Sequence, residues 1–513
     1  MPEETIAAIS TAPGAGGIGI VRISGARAEE ILARVFLGGG TGACGVPGGH
    51  AAFPDRVMRY GFVRDPLSNE TIDEALAVLM RAPHSYTGED VAEIQCHGGI
   101  VPLRRILGLV LSQGASLAEA GEFTKRAFLN GRIDLVQAES VVDLIYAETA
   151  RGFSAAREQA DGKLSSPVYA AREILLGLLA ETEARIDYPE AFEDLTQFAE
   201  QIDGRSHARI PEISDFVEST AEDLTQNDAQ LRGIRQAREI VDRLLENADA
   251  GRFVRNGIRV ALLGKPNTGK SSLFNALARE AAAIVTEIPG TTRDALEIRI
   301  DLEGFPVILT DTAGIRETDG LVETLGIERS KTAYERADVA VLLIDASLPL
   351  SAEDSLIAQM LLPEKPLVVA LNKQDLPVLT DEAAVRRLVP FAKRFVKTRL
   401  LFGEGGFPES SDILPDGGIA ALEAALLEAA LSRNGAFAGA GQEFLVTRER
   451  HRNLLETASA ELSEAQSVLA AGDAPEFAEV NLRAAYDALG EIVGAVYTDD
   501  ILDRIFSEFC IGK

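Results

Sequence analysis

Gly264-Lys-Pro-Asn-Thr-Gly-Lys-Ser271 decides the fold. An apolar, strand-like run, Ile258 to Leu263, leads into it, and a helix-like run, Ser272 to Glu280, follows. Strand, glycine-lysine loop and helix in that order make a phosphate site. Gly264 and Gly269 let the backbone curl without a Cβ in the way. The curl aims amide N–H groups at phosphate oxygens, and the following helix adds the positive end of its dipole. Lys270 is expected to reach the β- and γ-phosphates. Ser271 is expected to place its hydroxyl on Mg²⁺, with Ser272 beside it in the nucleotide-binding set. A glycine-rich turn ahead of a helix is the bland alternative; strand, loop, Lys-Ser and helix all in order argue against it.

Outward from this loop, residues 252–436 alternate strand and helix. Val307–Thr310, Val339–Asp345 and Leu367–Leu371 are short, mostly apolar strands, as in a largely parallel sheet covered on both faces. Asp311-Thr-Ala-Gly314 follows the first of them. Asp311 suits a direct or water-mediated hold on Mg²⁺, and the Gly314 amide can sense the γ-phosphate. Asn372-Lys-Gln-Asp375 follows the last. The Asp375 carboxylate can accept two hydrogens from guanine, the ring N–H and the exocyclic amine, a pair that adenine lacks. Lys373 can lay its alkyl stem along the base. One such turn alone would be a polar turn; three pieces in order at strand ends point to GTP over ATP. Between them lies Thr286-Glu-Ile-Pro-Gly-Thr-Thr-Arg-Asp294, where Thr292 or Thr291 should close over Mg²⁺ and the γ-phosphate. Ile315 stands where a Ras-like enzyme carries glutamine, and isoleucine cannot orient water. No arginine finger is identifiable, so the charge that develops on the phosphates needs another cation.

The 513 residues suffice for several domains, and the 46% hydrophobic content describes a folded, soluble protein. No apolar run reaches membrane-spanning length, and no basic segment precedes an apolar one at the N-terminus. Three cysteines, Cys44, Cys96 and Cys510, cannot build a disulfide framework, which suits a reducing, cytoplasmic home. The five histidines show no metal-ligand spacing with a cysteine. The formal net charge of −29 weighs against nucleic-acid binding by the whole surface, though not against a local basic patch.

Residues 1–120 read as mixed α/β. Thr5–Ser10, Gly16–Gly25, Val57–Val63, Glu74–Met80 and Val91–His97 are strand-like, Arg27–Phe36 and Val101–Gln113 helical, and Gly38–Gly49 a loop. The glycines at 16, 17 and 19 permit a close backbone approach or unusual dihedrals; they precede their strand, so they make a poor dinucleotide fingerprint. His97 is as well read as a structural histidine as a site residue. Residues 121–251 read as helical, with one helix over Glu139–Glu158 whose weak point is Gly152, and an end near Gly251. Within them, Pro189–Gln230 is acidic and polar, as in solvent-facing helix and turns. After residue 436 helix returns, with one stripe at Leu454, Leu455, Ala458, Leu462, Ala465 and Leu469 and another at Leu482, Ala485, Leu489, Ile492 and Val496.

Three stretches already quoted, Gly264–Ser271, Thr286–Asp294 and Asp311-Thr-Ala-Gly-Ile-Arg316, resemble the tRNA-modification GTPase family MnmE, also called TrmE. So do Pro83-His-Ser-Tyr-Thr-Gly-Glu-Asp90, Gly121-Glu-Phe-Thr-Lys-Arg-Ala-Phe-Leu-Asn-Gly131 and the terminal Phe509-Cys-Ile-Gly-Lys513. The resemblance runs nearly end to end, and its most specific mark is the Cys-Ile-Gly-Lys tail, which GTPases in general lack. It implies a multidomain α/β and all-α chain. An N-terminal mixed α/β domain, 1–120, would bind 5-formyl- or 5,10-methylene-tetrahydrofolate and form a homodimer, with Arg22 as its folate-side candidate. A helical domain would be assembled from 121–251 and 437–513, with a Ras-like P-loop GTPase domain, 252–436, inserted. The family modifies carbon 5 of the tRNA wobble uridine with an FAD-dependent partner, MnmG (GidA). Its hydrolysis needs K⁺, which the resemblance assigns to Asn267 with Thr286, Ile288 and Thr291. It also gives Thr292 to Mg²⁺, Glu323 to the attacking water and Cys510 to the modification chemistry. Two stretches depart from the family pattern. Val396-Lys-Thr-Arg-Leu-Leu-Phe-Gly403 lacks a Ser-Ala pair at the fifth GTPase motif, and Pro13-Gly-Ala-Gly-Gly17 lacks the basic residue some relatives carry. The rival reading is a GTP-switched assembly or ribosome-maturation factor, in which N-domain and tail are only binding modules. A membrane-remodelling role is disfavoured, since no lipid-anchor motif or basic amphipathic helix is present.

Overall fold

The computed structural model describes residues 4–38, 53–187, 226–246, 248–280, 296–311, 331–399, 418–431, 445–471 and 475–513. The chain divides into two compact units: 1–142 with 160–165 and 490–513, and 143–159 with 166–489.

The first unit holds β1 (Ile6–Ile9), β2 (Gly16–Ser24), α1 (Ala28–Val35), β3 (Phe36–Gly38), β4 (Arg59–Arg64), β5 (Thr71–Met80), β6 (Val91–Gly98), α2 (Ile100–Ser112) and β7 (Ser116–Leu117). Its sheet runs β3-β4-β5-β6-β2-β1-β7, antiparallel except for the β1–β7 pair. Alternation along the strands sends Val21, Ile23, Ala75, Ala77, Leu79, Ala92 and Ile94 to one face. There they meet Ile31, Leu32 and Val35 of α1 and Leu103, Ile106 and Val110 of α2. At Gly19 the Leu103 side chain of α2 fills the space a Cβ would take, since that Cβ would lie 2.7 Å from a Leu103 methyl. Tyr60, Phe62, Leu76 and Ile18 remain exposed, with the Tyr60 and Phe62 rings edge to face at 5.8 Å.

α3 (Glu122–Leu129), α4 (Leu135–Tyr146) and α15 (Asp499–Ser507) follow in chain order around intervening elements. Phe128, Leu135 and Ala138 bury a cluster with Leu502, Ile505, Phe506 and Phe509.

The second unit contains α5 (Ala150–Ala160), α6 (Ser165–Asp187), α7 (Gln226–Leu245), α8 (Ala248–Asn256), β8 (Ile258–Leu263), α9 (Lys270–Glu280), β9 (Leu296–Leu302), β10 (Phe305–Asp311), β11 (Val339–Asp345), α10 (Ala352–Met360), β12 (Leu367–Asn372), α11 (Glu382–Leu388), β13 (Arg394–Lys397), α12 (Ile419–Leu431), α13 (Glu449–Ala470) and α14 (Pro475–Val493). Its sheet order is β13-β12-β11-β8-β10-β9, parallel except for β9. Every residue of β11 is buried, as a central strand covered on both faces requires. Leu273 and Leu277 of α9 and Leu422 and Leu426 of α12 cover one face; Ala358 of α10 and Val385 of α11 cover the other. Beyond the sheet, α7 and α13 are neighbours that bury Ile234, Ala237, Val241 and Leu244 on one helix and Leu455, Ala458, Leu462, Ala465 and Leu469 on the other. Among the described residues, no helix is long and apolar enough to cross a membrane.

Several local expectations change. The helix expected over Glu139–Glu158 breaks between Tyr146 and Ala150. Thr149 explains the break: its Oγ1 accepts the Gly152 amide at 3.0 Å, an N-cap for α5, and donates to the Gly304 carbonyl at 2.8 Å. Gly251 does not end a helix but lies inside α8, where a Cβ would come within 2.1 Å of the Val446 carbonyl oxygen. Val496 is exposed beyond the end of α14 and leaves its expected stripe at Val493. The acidic stretch lies outside the described residues up to 225, and its last residues, Gln226 to Gln230, already belong to α7.

Candidate functional site

β8 delivers the chain into the phosphate loop, and α9 leaves it at Lys270. Three residues of the loop adopt positive φ: Gly264 at 150°, Asn267 at 64° and Gly269 at 102°. At Gly264 a Cβ would also lie 2.6 Å from the Leu343 carbonyl oxygen, so glycine is required twice over. Lys270 is buried, and its Nζ donates to the carbonyls of Gly264 at 2.7 Å and Lys265 at 2.8 Å. The ammonium is thus held inside the curl where phosphates would sit. Ser271 is exposed at the start of α9, and Ser272 is half-buried behind it.

The guanine loop leaves β12. Asn372 is buried and donates from Nδ2 to the Thr268 carbonyl at 2.8 Å, while its Oδ1 accepts the Thr398 hydroxyl at 3.2 Å. Asn372 therefore joins this loop to the phosphate loop. Lys373 takes a left-handed φ of 61°, and its Nζ sits 2.6 Å from Asp345 Oδ2 at the end of β11. Burial alone would raise the Asp345 pKa; Lys373, with the Ser347 hydroxyl and amide, outweighs it and leaves the carboxyl below its ordinary value. Asp375 is exposed at the rim. Asp311 ends β10 opposite Leu262 of β8, which brings the backbone of the third motif beside the entry to the phosphate loop. Thr286, Ile288, Thr291, Thr292, Gly314 and Glu323 lie outside the described residues.

In the first unit, Arg22 pairs with Glu93 at 2.9 Å, and its guanidinium lies 5.5 Å from the Tyr86 ring centre and 5.7 Å from that of Phe123. The Pro83–Asp90 turn is tied to α3, with Tyr86 bonded to Thr124 at 2.8 Å and Glu89 paired with Arg126 at 3.1 Å. The tail is docked. Phe506 and Phe509 are buried, Ile511 bridges Ala120, and a Cβ on Gly512 would lie 2.2 Å from the Ile9 carbonyl oxygen. Cys510 is exposed between these anchors. Ile9 belongs to β1, whose Ala8 pairs with Arg22, so tail and Arg22 flank the same strand.

Residues 135–510 match the family model described as the MnmE helical domain, and residues 5–132 the one described as the GTP-binding protein TrmE N-terminus. The tRNA modification GTPase MnmE of Heliobacterium modesticaldum is 42% identical over 100% of both chains. The protein of that name from Alkaliphilus oremlandii is 39% identical over 100% of this chain and 99% of its own. The chain belongs to the MnmE family of tRNA modification GTPases. Solved structures resemble it over a smaller part. Era of Aquifex aeolicus bound to GDP and aluminium fluoride is 28% identical, covers 31% of this chain and 59% of its own, and has a TM-score of 0.22. The G domain of T. maritima FeoB is 24% identical over 34% of this chain and 98% of its own, with a TM-score of 0.24.

In this MnmE-family chain the two described cysteines differ sharply. Burial pushes the Cys96 thiol up to about 11, and its Sγ lies 3.5 Å from the Gly19 carbonyl. Cys510 faces solvent. Iodoacetamide on the folded protein at neutral pH is therefore expected to alkylate the Cys510 peptide and spare the Cys96 peptide. Equal labelling in a peptide map would contradict this assignment. His97 proves to be held by Asp73, which accepts from its Nδ1 at 2.7 Å and its amide at 2.9 Å. That carboxylate raises the His97 pKa, so the imidazolium persists above the usual histidine range. Motif reading passed over the outward contact of Lys265 within the phosphate loop, and over Asp345, Asp354 and Thr398, which hold the nucleotide loops from behind.

Proposed function

We propose that this chain hydrolyses GTP in order to install a (carboxymethyl)aminomethyl group at carbon 5 of the tRNA wobble uridine. It acts with an FAD-dependent MnmG-type partner and a one-carbon tetrahydrofolate. The observation that carries the nucleotide half is the Asn372 bond to the Thr268 carbonyl, which locks a guanine-reading loop to a phosphate loop that already holds Lys270. Family membership and the docked Cys510 tail support the modification half.

In this reading Lys270 would exchange its carbonyl partners for phosphate oxygens, and Ser271 with Thr292 would hold Mg²⁺. Asn267 is exposed, and its side-chain oxygen, with oxygens from Thr286, Ile288 and Thr291, is the donor type a hard monovalent cation takes. K⁺ held there would supply the positive charge that an arginine finger supplies elsewhere. Glu323 orients the attacking water. Tyr60, Phe62 and Leu76 on the exposed sheet face suit a second copy of the chain.

Steady-state GTP hydrolysis is expected to run at least about tenfold faster in K⁺ than in Na⁺ at equal ionic strength. Equal rates would remove the cation from the reading. GTP turnover with no modified uridine, in a reconstitution containing partner, tRNA and folate, would favour the assembly-factor alternative.

A further inference from the structure

Lys265 is the first variable residue of the phosphate loop, and its side chain turns away from the curl. Its Nζ lies 2.7 Å from Asp354 Oδ2 and 3.3 Å from the Ser351 hydroxyl. The pair is secluded, with 13% of the Lys265 side chain and 1% of the Asp354 side chain accessible. Asp354 also completes the capping box of α10: its Oδ2 accepts the Ser351 amide at 2.9 Å, and the Ser351 hydroxyl accepts the Asp354 amide at 3.4 Å. The box stands without Lys265, but a carboxylate this deeply buried needs a cation. Asp354 Oδ1 has no hydrogen-bond partner among the described residues, so the Oδ2 contacts carry the whole interaction.

Lys265 is gripped at its other end as well. Its carbonyl accepts Lys270 Nζ at 2.8 Å and the Thr268 hydroxyl at 3.0 Å. A shift of Lys265 therefore passes directly to the lysine that meets the phosphates. The stretch from the end of β11 to the first turn of α10 anchors both nucleotide loops: Asp345, the last residue of β11, takes Lys373 of the guanine loop, and Asp354, in the first turn of α10, takes Lys265 of the phosphate loop.

We propose that Asp354 is a positioning residue for the nucleotide: through Lys265 it fastens the phosphate loop, and with it Lys270, to the first turn of α10. This rests on the GTP reading above, since the loop is fastened for a guanine nucleotide. Loss of the pair slackens the loop, so it is felt in nucleotide retention more than in the chemical step.

The test uses the full chain and a fluorescent N-methylanthraniloyl GDP. Lys265→Met combined with Asp354→Asn removes both charges and leaves no lone buried carboxylate. It is expected to release this GDP about tenfold faster and to raise KM for GTP similarly, while kcat falls less than about threefold. Lys265→Arg keeps a cation for Asp354 and is expected to release GDP within about twofold of the unmodified chain. Should the double variant fail to fold, Asp354→Asn alone serves, because it leaves Lys265 able to reach water. Release at the unmodified rate by the charge-free variant, or release by Lys265→Arg as fast as by the charge-free variant, overturns the proposal. A purely structural role would lower the melting temperature without splitting KM from kcat, and that result also overturns it. If the unmodified chain does not hold the GDP probe, the GTP reading falls as well; if it does and the variants match it, only the anchor falls.

Discussion

Asp375→Asn is expected to turn a GTP-specific site into one that prefers xanthosine triphosphate. Asp375 stands exposed in its loop, and the bonds that shape the loop are made by its neighbours. Asn372 is fixed to Thr268 and Thr398, Lys373 is fixed to Asp345, and the Leu376 amide closes the turn on the Lys373 carbonyl at 3.1 Å. None of these contacts uses the Asp375 carboxylate, so the substitution alters base contact and leaves the frame. A carboxylate only accepts, which matches the ring N–H and exocyclic amine of guanine. An asparagine amide offers one donor and one acceptor, which matches xanthine, whose carbonyl replaces that amine. A hydrogen bond to a charged group is worth roughly 1.5–3 kcal/mol, so the GTP preference should fall about tenfold or more. Competition of GTP, ATP and xanthosine triphosphate against a labelled guanine nucleotide measures it. Equal affinity of the unmodified chain for ATP and GTP, or unimpaired GTP binding by the variant, would end the assignment.

The candidate nucleotide loops were legible because phosphate and base chemistry demands particular residue types at short, fixed spacings. Gly264, Gly269, Lys270 and Asn372 sit where the motifs place them, and each has a conformation or bond that explains its type. What lies behind them was not legible. Lys265 and Asp354 are 89 positions apart, and nothing in either local sequence announces the pair. The continuous apolar runs of β8, β11 and β12 stood out because both their faces are covered. β9, Leu-Glu-Ile-Arg-Ile-Asp-Leu, alternates apolar and charged residues at the sheet edge, and β13 is only four residues long. The glycines misled for a related reason. Gly152 is no weak point, since it supplies the amide that Thr149 caps; Gly251 is no terminator, since it admits the distant Val446 carbonyl. A glycine's role depends on what approaches it, which a local window does not contain.

Cys510→Ser is expected to abolish uridine modification while GTP hydrolysis stays near that of the unmodified chain. An isolated cysteine is commonly a small buried hydrophobe, and Cys96, with its thiol pushed up by burial, is that case. Cys510 differs in its setting. A chain end is ordinarily mobile unless something docks it. Here Phe506 and Phe509 sink into the cluster with Phe128 and Leu135, Lys125 meets Asp503 at 2.7 Å, and Ile511 and Gly512 close against Ala120 and Ile9. The anchors fall on both sides of Cys510 and leave its side chain exposed, so the thiol is presented at a fixed place instead of packed away. Serine is close to cysteine in size and fits the same exposed position, so the substitution is expected to leave the fold in place. A serine hydroxyl is a far weaker nucleophile than a cysteine sulfur, so the proposed chemistry would not survive the change. Tail and Arg22 both lie against one strand, β1. The measurement is a reconstituted assay with the FAD-containing partner, tRNA, folate and GTP, read beside GTP turnover and the melting temperature of the same preparation. Full modification by the serine variant would remove Cys510 from the chemistry. Loss of modification and hydrolysis together, with a lower melting temperature, would instead make it a structural residue. Loss of modification alone, in a protein that melts and hydrolyses GTP as before, is the result that the doubly anchored tail leads us to expect.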